Sequence, residues 1–291
     1  MQMVYHLGVH VTDNDRLMHA LRDNAAQLAA AGTEIVPPER HKDIFDDALQ
    51  SLAGGNSTPE MEQLMLDALL EHDAPGRVVM STATFMGAYG RVVGREGFYP
   101  QIGRRAAALT RLFPSARTEF FLAMRNPATL LSDVLPLFKG GDYNELMQGN
   151  HPLNLRWRDA IQRMVSAVQG RRIVIWCHED VPLIWPEILR MVAGAGPDVA
   201  LHGGQSYVED LLTPEGRTAL NSALAGQDQL SVSRRRAIYA DTIAMHARPD
   251  ALDQTIDLPG WTQDMVDQVT ANYRADAAEI AVLPGVEFIL P

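Results

Sequence analysis

The segment Gly8-Val9-His10-Val11-Thr12-Asp13-Asn14-Asp15-Arg16-Leu17 joins a β-rich stretch to a helical one. In open α/β sheets, ligands bind at the carboxyl ends of strands, where helix N-termini point. This is therefore the first place to look for chemistry. Asp13 and Asp15 suit a helix start, where a carboxylate accepts free backbone N–H groups and favours the dipole. They also repel an anion brought to the same place. A Walker A loop, G-x-x-x-x-G-K-[ST], is absent, which leaves nucleotide hydrolysis without support.

A second setting is Phe120-Phe121-Leu122-Ala123-Met124-Arg125-Asn126-Pro127, with Ser132 seven residues and Asp133 eight residues after the arginine. A forked guanidinium at a strand end suits phosphate, and a structural ion pair suits it equally. A third is Cys177-His178-Glu179-Asp180, following Ile173-Val174-Ile175-Trp176. His178 or Glu179 is the best-placed general base for an acceptor hydroxyl. Cys177 reads as a small buried hydrophobe. His6 and His10, four apart on one expected strand, share a face. His10, Asp13, His178 and Asp180 offer nitrogen and oxygen ligands, but without any metal-site spacing, so no metal is expected. Arg234-Arg235-Arg236 is the dense basic cluster, a solvated face or an anion clamp centred on Arg235.

The elements that position these residues follow from periodicity. Continuous apolar runs at Met3–His10, Arg77–Thr82, Thr118–Met124 and Arg172–Cys177 read as buried parallel strands, with short ones at Ile35–Val36 and Val286–Leu290. Helical patterns cover Asp15–Ala31, 39–53, 59–72, 100–113, 127–138, 154–169, 182–193, 205–211, 214–225, 232–246 and 262–282, and 140–153 reads as a loop. The expected fold is a three-layer α/β domain over 1–291, with a central parallel sheet, helices on both faces and a helical C-terminal cap over about 200–282.

Composition narrows the function classes. The chain has 291 residues, 46% hydrophobic and 21% charged, enough for a sizeable core. A net charge of -11 argues against nucleic acid and anionic membranes as partners. The single cysteine excludes an internal disulfide. No apolar run approaches the ~20 residues of a membrane span. Met1-Gln2-Met3-Val4 lacks a basic then apolar leader, so a cytoplasmic location is expected. Lys42 and Lys139 are the two lysines among 25 basic residues.

Together these motifs resemble the sulfotransferase branch of the P-loop fold. Members often open with a strand and a loop G-x-x-K-T-G-T-T/S-x-L. That loop holds the 5′-phosphosulfate of 3′-phosphoadenosine-5′-phosphosulfate (PAPS), with the lysine as its catalytic cation. Gly8, Thr12 and Leu17 match; Val11 stands at the lysine position, Asp13 at the glycine, and Asn14 and Asp15 at the hydroxyl positions. The Arg125-Asn126-Pro127 turn with Ser132 is similar to the strand–R-x-P–helix–S signature, in which the arginine and a serine eight residues after it bind the donor's 3′-phosphate; here Ser132 lies seven after and Asp133 takes the eighth place. Ser81 at a strand tip, His178-Glu179-Asp180, and Tyr273 with Asp276 in the last helix fit the same order.

The resemblance implies Gly8, His10, Thr12, Arg125 and Ser132 as donor contacts, with Arg235 as a replacement cation from the cap. It implies PAPS as cofactor where the ancestral activity survives. Two classes of function follow. One is a sulfotransferase-like binding protein that has lost or altered sulfuryl transfer and holds a small anionic ligand or a partner protein. The other is an active PAPS-dependent enzyme acting on a hydroxyl or amine. A metal-dependent hydrolase built on the His/Asp cluster is a third reading.

Overall fold

The computed structural model describes residues 1–196, 199–225 and 230–291. The chain runs β1 (Gln2–His6), α1 (Arg16–Asp23), α2 (Ala25–Ala30), β2 (Thr33–Val36), α3 (Pro38–Leu52), α4 (Pro59–Leu69), β3 (Arg77–Ser81), then a small hairpin of β4 (Val93–Gly94) and β5 (Gly97–Phe98). It continues through α5 (Ile102–Leu112), β6 (Arg117–Met124), α6 (Pro127–Val134), α7 (Tyr143–Met147), α8 (Trp157–Ala167), β7 (Arg172–Cys177) and α9 (Val181–Ala193). It closes with α10 (Ser206–Leu211), α11 (Pro214–Leu224), α12 (Val232–His246), α13 (Gln263–Ala281) and β8 (Val286–Ile289).

Six strands form one parallel sheet in the order β2-β3-β1-β6-β7-β8. The strands are apolar on both faces because both faces are covered. Val4, Val79, Phe121 and Val174 pack against Leu17, Leu21 and Leu28 of α1 and α2 and against Ile184 and Ile188 of α9. Met3, Tyr5, Phe120, Leu122 and Ile175 face the other way, onto Phe45, Leu109, Trp157 and Tyr273 of α3, α5, α8 and α13. The fold is thus the expected three-layer α/β arrangement. No helix among the described residues is long and apolar enough to cross a membrane.

Four local expectations change. The first strand ends at His6, because the chain turns at Gly8 with φ +86°; a Cβ there would approach the Ala83 Cβ to 3.2 Å. His6 and His10 consequently lie on opposite faces: His6 stacks on Trp176, and His10 on Tyr99. The helix expected over Asp15–Ala31 is broken at Asn24, whose side chain donates to the carbonyls of Ala20 and His202 and accepts from the His202 N–H. The loop expected over 140–153 carries α7, nucleated by Asp142 capping the amides of Asn144 and Glu145.

The region expected as a C-terminal cap, about 200–282, divides by what its helices pack on. Helices α10, α11 and α12 share a core of their own, Val208, Leu212, Leu220, Ile238 and Tyr239. Helix α13, in contrast, buries Tyr273 and Ile280 in the sheet's core and leads into β8. Its buried positions 269, 273, 276 and 280 fall on one helical stripe, which decides where it packs.

Topology fixes where a ligand site can form. From β1 the chain leaves to α1 on one face of the sheet, and from neighbouring β6 it leaves to α6 on the other. The carboxyl ends of β1 and β6 therefore flank a switch-point crevice.

Candidate functional site

The crevice is built from three loops. Residues 7–15 leave β1, Arg125 and Asn126 follow β6, and His178 and Glu179 follow β7. Beyond them opens a cleft of about 690 Å³, bounded by Arg16, Arg125, His178 and Tyr207 and covered by the segment carrying Arg248 and Gln254.

In the first loop, Val11, Asn14 and Asp15 all have positive φ, at 53°, 47° and 61°. The Thr12 hydroxyl donates to the Val9 carbonyl at 2.7 Å and is buried, so it turns into the loop. Asp13 accepts from the Leu17 N–H at 3.3 Å and so caps α1, while Asp15 makes no side-chain cap. His10 is held in the core. Its Nε2 bonds the Gly87 carbonyl at 2.9 Å, so that nitrogen is the donor, and its Nδ1 meets the Tyr99 hydroxyl at 3.0 Å. Burial lowers its pKa, the Gly87 hydrogen bond raises it less, and Arg105 lowers it further. The ring is therefore a neutral packing element between Tyr89 and Tyr99.

Arg125 is 7% exposed and almost fully committed to protein partners. Its Nη1 donates to the Val11 carbonyl at 2.5 Å and its Nε to Thr129 Oγ1 at 3.1 Å. Its Nη2 donates to Asp133 Oδ2 at 2.6 Å and to Gln254 Oε1 at 3.2 Å. Gln254 in turn donates to Asp133 Oδ1 at 2.7 Å. A guanidinium has five N–H groups, so four bonds leave at most one for a ligand. The Arg125 carbonyl accepts from the indole of the buried Trp157 at 2.7 Å, which fixes the strand end. Ser132 lies on α6, half-buried, and the carboxylate that takes the arginine belongs to the next residue.

Glu179 also has structural work. Its Oε1 accepts the Asn126 N–H at 2.8 Å, at the start of α6, and its Oε2 accepts the Tyr273 hydroxyl at 2.7 Å. His178 has no hydrogen-bond partner for Nδ1 among the described residues. Burial, reinforced by Arg125, pushes its pKa down to about 3. Burial pushes the Cys177 thiol up to about 12, against a weaker opposing hydrogen bond from Tyr273. Neither group is poised to accept a proton and attack near neutrality.

The remaining sequence candidates are placed elsewhere or differently engaged. Arg235 on α12 pairs with Glu187 of α9, and neither residue bounds the cleft. Arg236 donates to the Leu290 carbonyl at 2.7 Å. Among the described residues, no three His, Cys, Asp or Glu side chains gather closely enough to hold a metal. Two cleft cations escaped the sequence reading. Arg16 pairs with Asp210 at 2.5 Å and lies 4.2 Å over the Tyr207 ring. Arg248 is exposed and makes no ion pair among the described residues. No local motif marks either residue: Arg16 starts α1 and is met by Asp210 and Tyr207 of α10, and Arg248 follows α12.

No family model matches the chain, and no curated protein matches it by sequence. Among solved structures, it is similar to the crystal structure of a sulfotransferase from Alicyclobacillus acidocaldarius, with a TM-score of 0.40 and 12% identity. The match covers 81% of this chain and 95% of that one.

Proposed function

We propose that this chain is a sulfotransferase-like protein that has lost PAPS-dependent sulfuryl transfer and binds a small anionic ligand in the cleft under its cap. The observation that carries this reading is the state of Arg125. The residue that the resemblance assigns to the donor's 3′-phosphate already holds an internal counter-ion, Asp133, and a loop carbonyl, that of Val11. A phosphate arriving there meets a neutralised cation and the carboxylate that neutralises it.

The other features point the same way. Val11 replaces the loop lysine, Asp13 uses its carboxylate to cap α1, and His10 and Thr12 have their polar atoms tied inward. A donor cradle needs N–H groups and positive charge, and residues 8–15 offer neither a cation nor a free hydroxyl, while Arg16 beyond them is paired with Asp210. Sulfuryl transfer relies on cations placed at developing negative charge, as phosphoryl transfer does. The two best-placed bases are compromised: His178 is too acidic, and Glu179 is tied to Asn126 and Tyr273. The cleft keeps Arg248, which makes no ion pair among the described residues, and this residue supports an anionic ligand of a different shape.

Calorimetry with PAPS and with adenosine 3′,5′-bisphosphate tests the reading. Each lost charge-assisted contact weakens binding by ~1.5–3 kcal/mol, so the expected dissociation constant lies above about 1 mM. Micromolar binding that disappears in Arg125→Ala would overturn it.

A further inference from the structure

A second cavity lies on the far side of the first loop, between α3, α5 and the turn Ala83–Met86 that follows β3. It goes beyond the cleft reading and shares no residue with that cleft. The cavity has a volume of about 80 Å³, whereas one water needs about 10–15 Å³. Its walls come from helical stripes: His41, Phe45 and Leu49 along α3, and Arg105 with Leu109 along α5.

Two buried polar groups here lack partners. His41 is 1% exposed, and its Nε2 has no hydrogen bond among the described residues. Arg105 Nε is likewise buried and unbonded. The guanidinium makes a single described hydrogen bond, from Nη1 to the Phe85 carbonyl at 3.2 Å, and no ion pair among the described residues. Buried polar groups in folded proteins are nearly always satisfied, and an arginine keeps its charge in a protein. A half-buried cation whose Nε is sealed from water, and which has no ion-pair partner among the described residues, therefore favours an anion.

The rest of the cavity selects the anion's shape. The His41 ring stacks on Phe85 at 5.2 Å and 22°, and Phe45 lies 6.3 Å from Phe85 at 27°. Flat rings on one side and a forked cation on the other suit a planar acid, since guanidinium and carboxylate match in plane. Lys42 and Asp46 stand exposed at the rim. Asp46 acts on Arg105 only at longer range, outside ion-pair distance. Gly87 leaves room for the arginine, because a Cβ there would sit 3.4 Å from its Nε and Nη2.

We propose that this cavity is a binding site for a small aromatic carboxylate, whose carboxyl group meets Arg105 and whose ring lies against Phe85 and His41. The full chain is titrated with benzoate, benzamide and inorganic phosphate, by calorimetry and by the nitrogen resonances of the histidine rings. Benzoate should bind saturably and shift the His41 signals. Benzamide, which lacks the charge, should bind at least about tenfold more weakly, the loss of one charge-assisted bond. Arg105→Gln should weaken benzoate at least about tenfold, and Ala108→Leu, which fills the cavity and keeps every polar group, should block it. Equal binding of benzoate and benzamide, binding of phosphate in preference to benzoate, or unmoved His41 signals on saturation would each overturn the proposal. The resonance arm reads the wild-type chain, so it decides even where Arg105→Gln does not fold.

Discussion

Arg125 and Asp133, eight residues apart, form an ion pair at 2.6 Å across the first two turns of α6. The arginine is buried and the aspartate about two-fifths exposed. Asp133 stands eight residues after the arginine, the place at which the pattern read in the sequence has a serine, and its carboxylate is the counter-ion to the guanidinium. Through Val11 the same guanidinium also clamps the first loop.

The first prediction follows directly. Asp133→Ser removes the internal anion and places the pattern's hydroxyl at the eighth position after Arg125. Affinity for adenosine 3′,5′-bisphosphate should rise at least about tenfold over wild type, the value of one charge-assisted bond. The cost in stability should be about 1–2 kcal/mol, since the pair is partly solvated. Calorimetry and urea unfolding read the two effects. A stable variant with no gain in affinity would remove Arg125 from any donor site.

The second concerns Glu179, a base candidate that the structure ties to α6 and α13. Glu179→Ala should destabilise by about 1–3 kcal/mol, because the Asn126 N–H and the Tyr273 hydroxyl both lose an acceptor. Glu179→Gln, whose oxygen still reaches Asn126, should recover most of that loss. Equal urea midpoints for wild type and Glu179→Ala would show that these bonds carry no stability.

How far the site is legible in the sequence depends on what positions each residue. Strands β6 and β7 announce themselves by unbroken apolar runs, and their carboxyl ends place Arg125 and His178 correctly. The break at Asn24 is not visible, because it depends on His202, 178 residues away. The spacing of His6 and His10 misleads, because Gly8 turns the chain before the alternation reaches His10. The partner of Arg235 is likewise a long-range matter, settled by how α12 lies on α9. Asp133 is legible as a departure from the serine pattern, but its pairing with Arg125 depends on how α6 carries it back to the strand end.

The third prediction is a pH dependence. Burial lowers the pKa values of His6, His10, His41 and His178, the last two to about 4 and about 3. In the unfolded chain these rings take up a proton near pH 6.5, whereas in the folded chain they stay neutral to lower pH. The unfolded state thus binds more protons, and stability falls as pH drops below about 6.5. Each ring contributes up to about 1.4 kcal/mol per pH unit until its folded pKa is reached. His178→Leu should flatten the slope between pH 6.5 and 5 by up to one such contribution. An unchanged slope in that variant would mean that His178 titrates normally.

The fourth prediction rebuilds the loop and separates ancestry from chance. Reinstating the full pattern would place threonine at position 14, where φ is +47°. A β-branched residue is strained in that region, whereas asparagine tolerates it, so Asn14 should be left alone. Val11 already carries that strain, at φ +53°, and Val11→Lys removes a branch while adding the missing cation. Asp13→Gly removes a carboxylate and lets the backbone approach an anion. It also removes the cap on Leu17, at a cost of about 0.5–2 kcal/mol. Combined with Asp133→Ser, these changes supply a loop cation and a freed Arg125 together. The triple variant should stay folded and bind adenosine 3′,5′-bisphosphate more tightly than Asp133→Ser alone, by at least about another tenfold. The order of the gains matters: Val11→Lys with Asp13→Gly should do little while Asp133 still holds the arginine. A folded triple variant that binds no better than wild type would show that this loop is not an altered donor cradle. The cleft beside Arg248 would then have to owe its ligand to the cap alone.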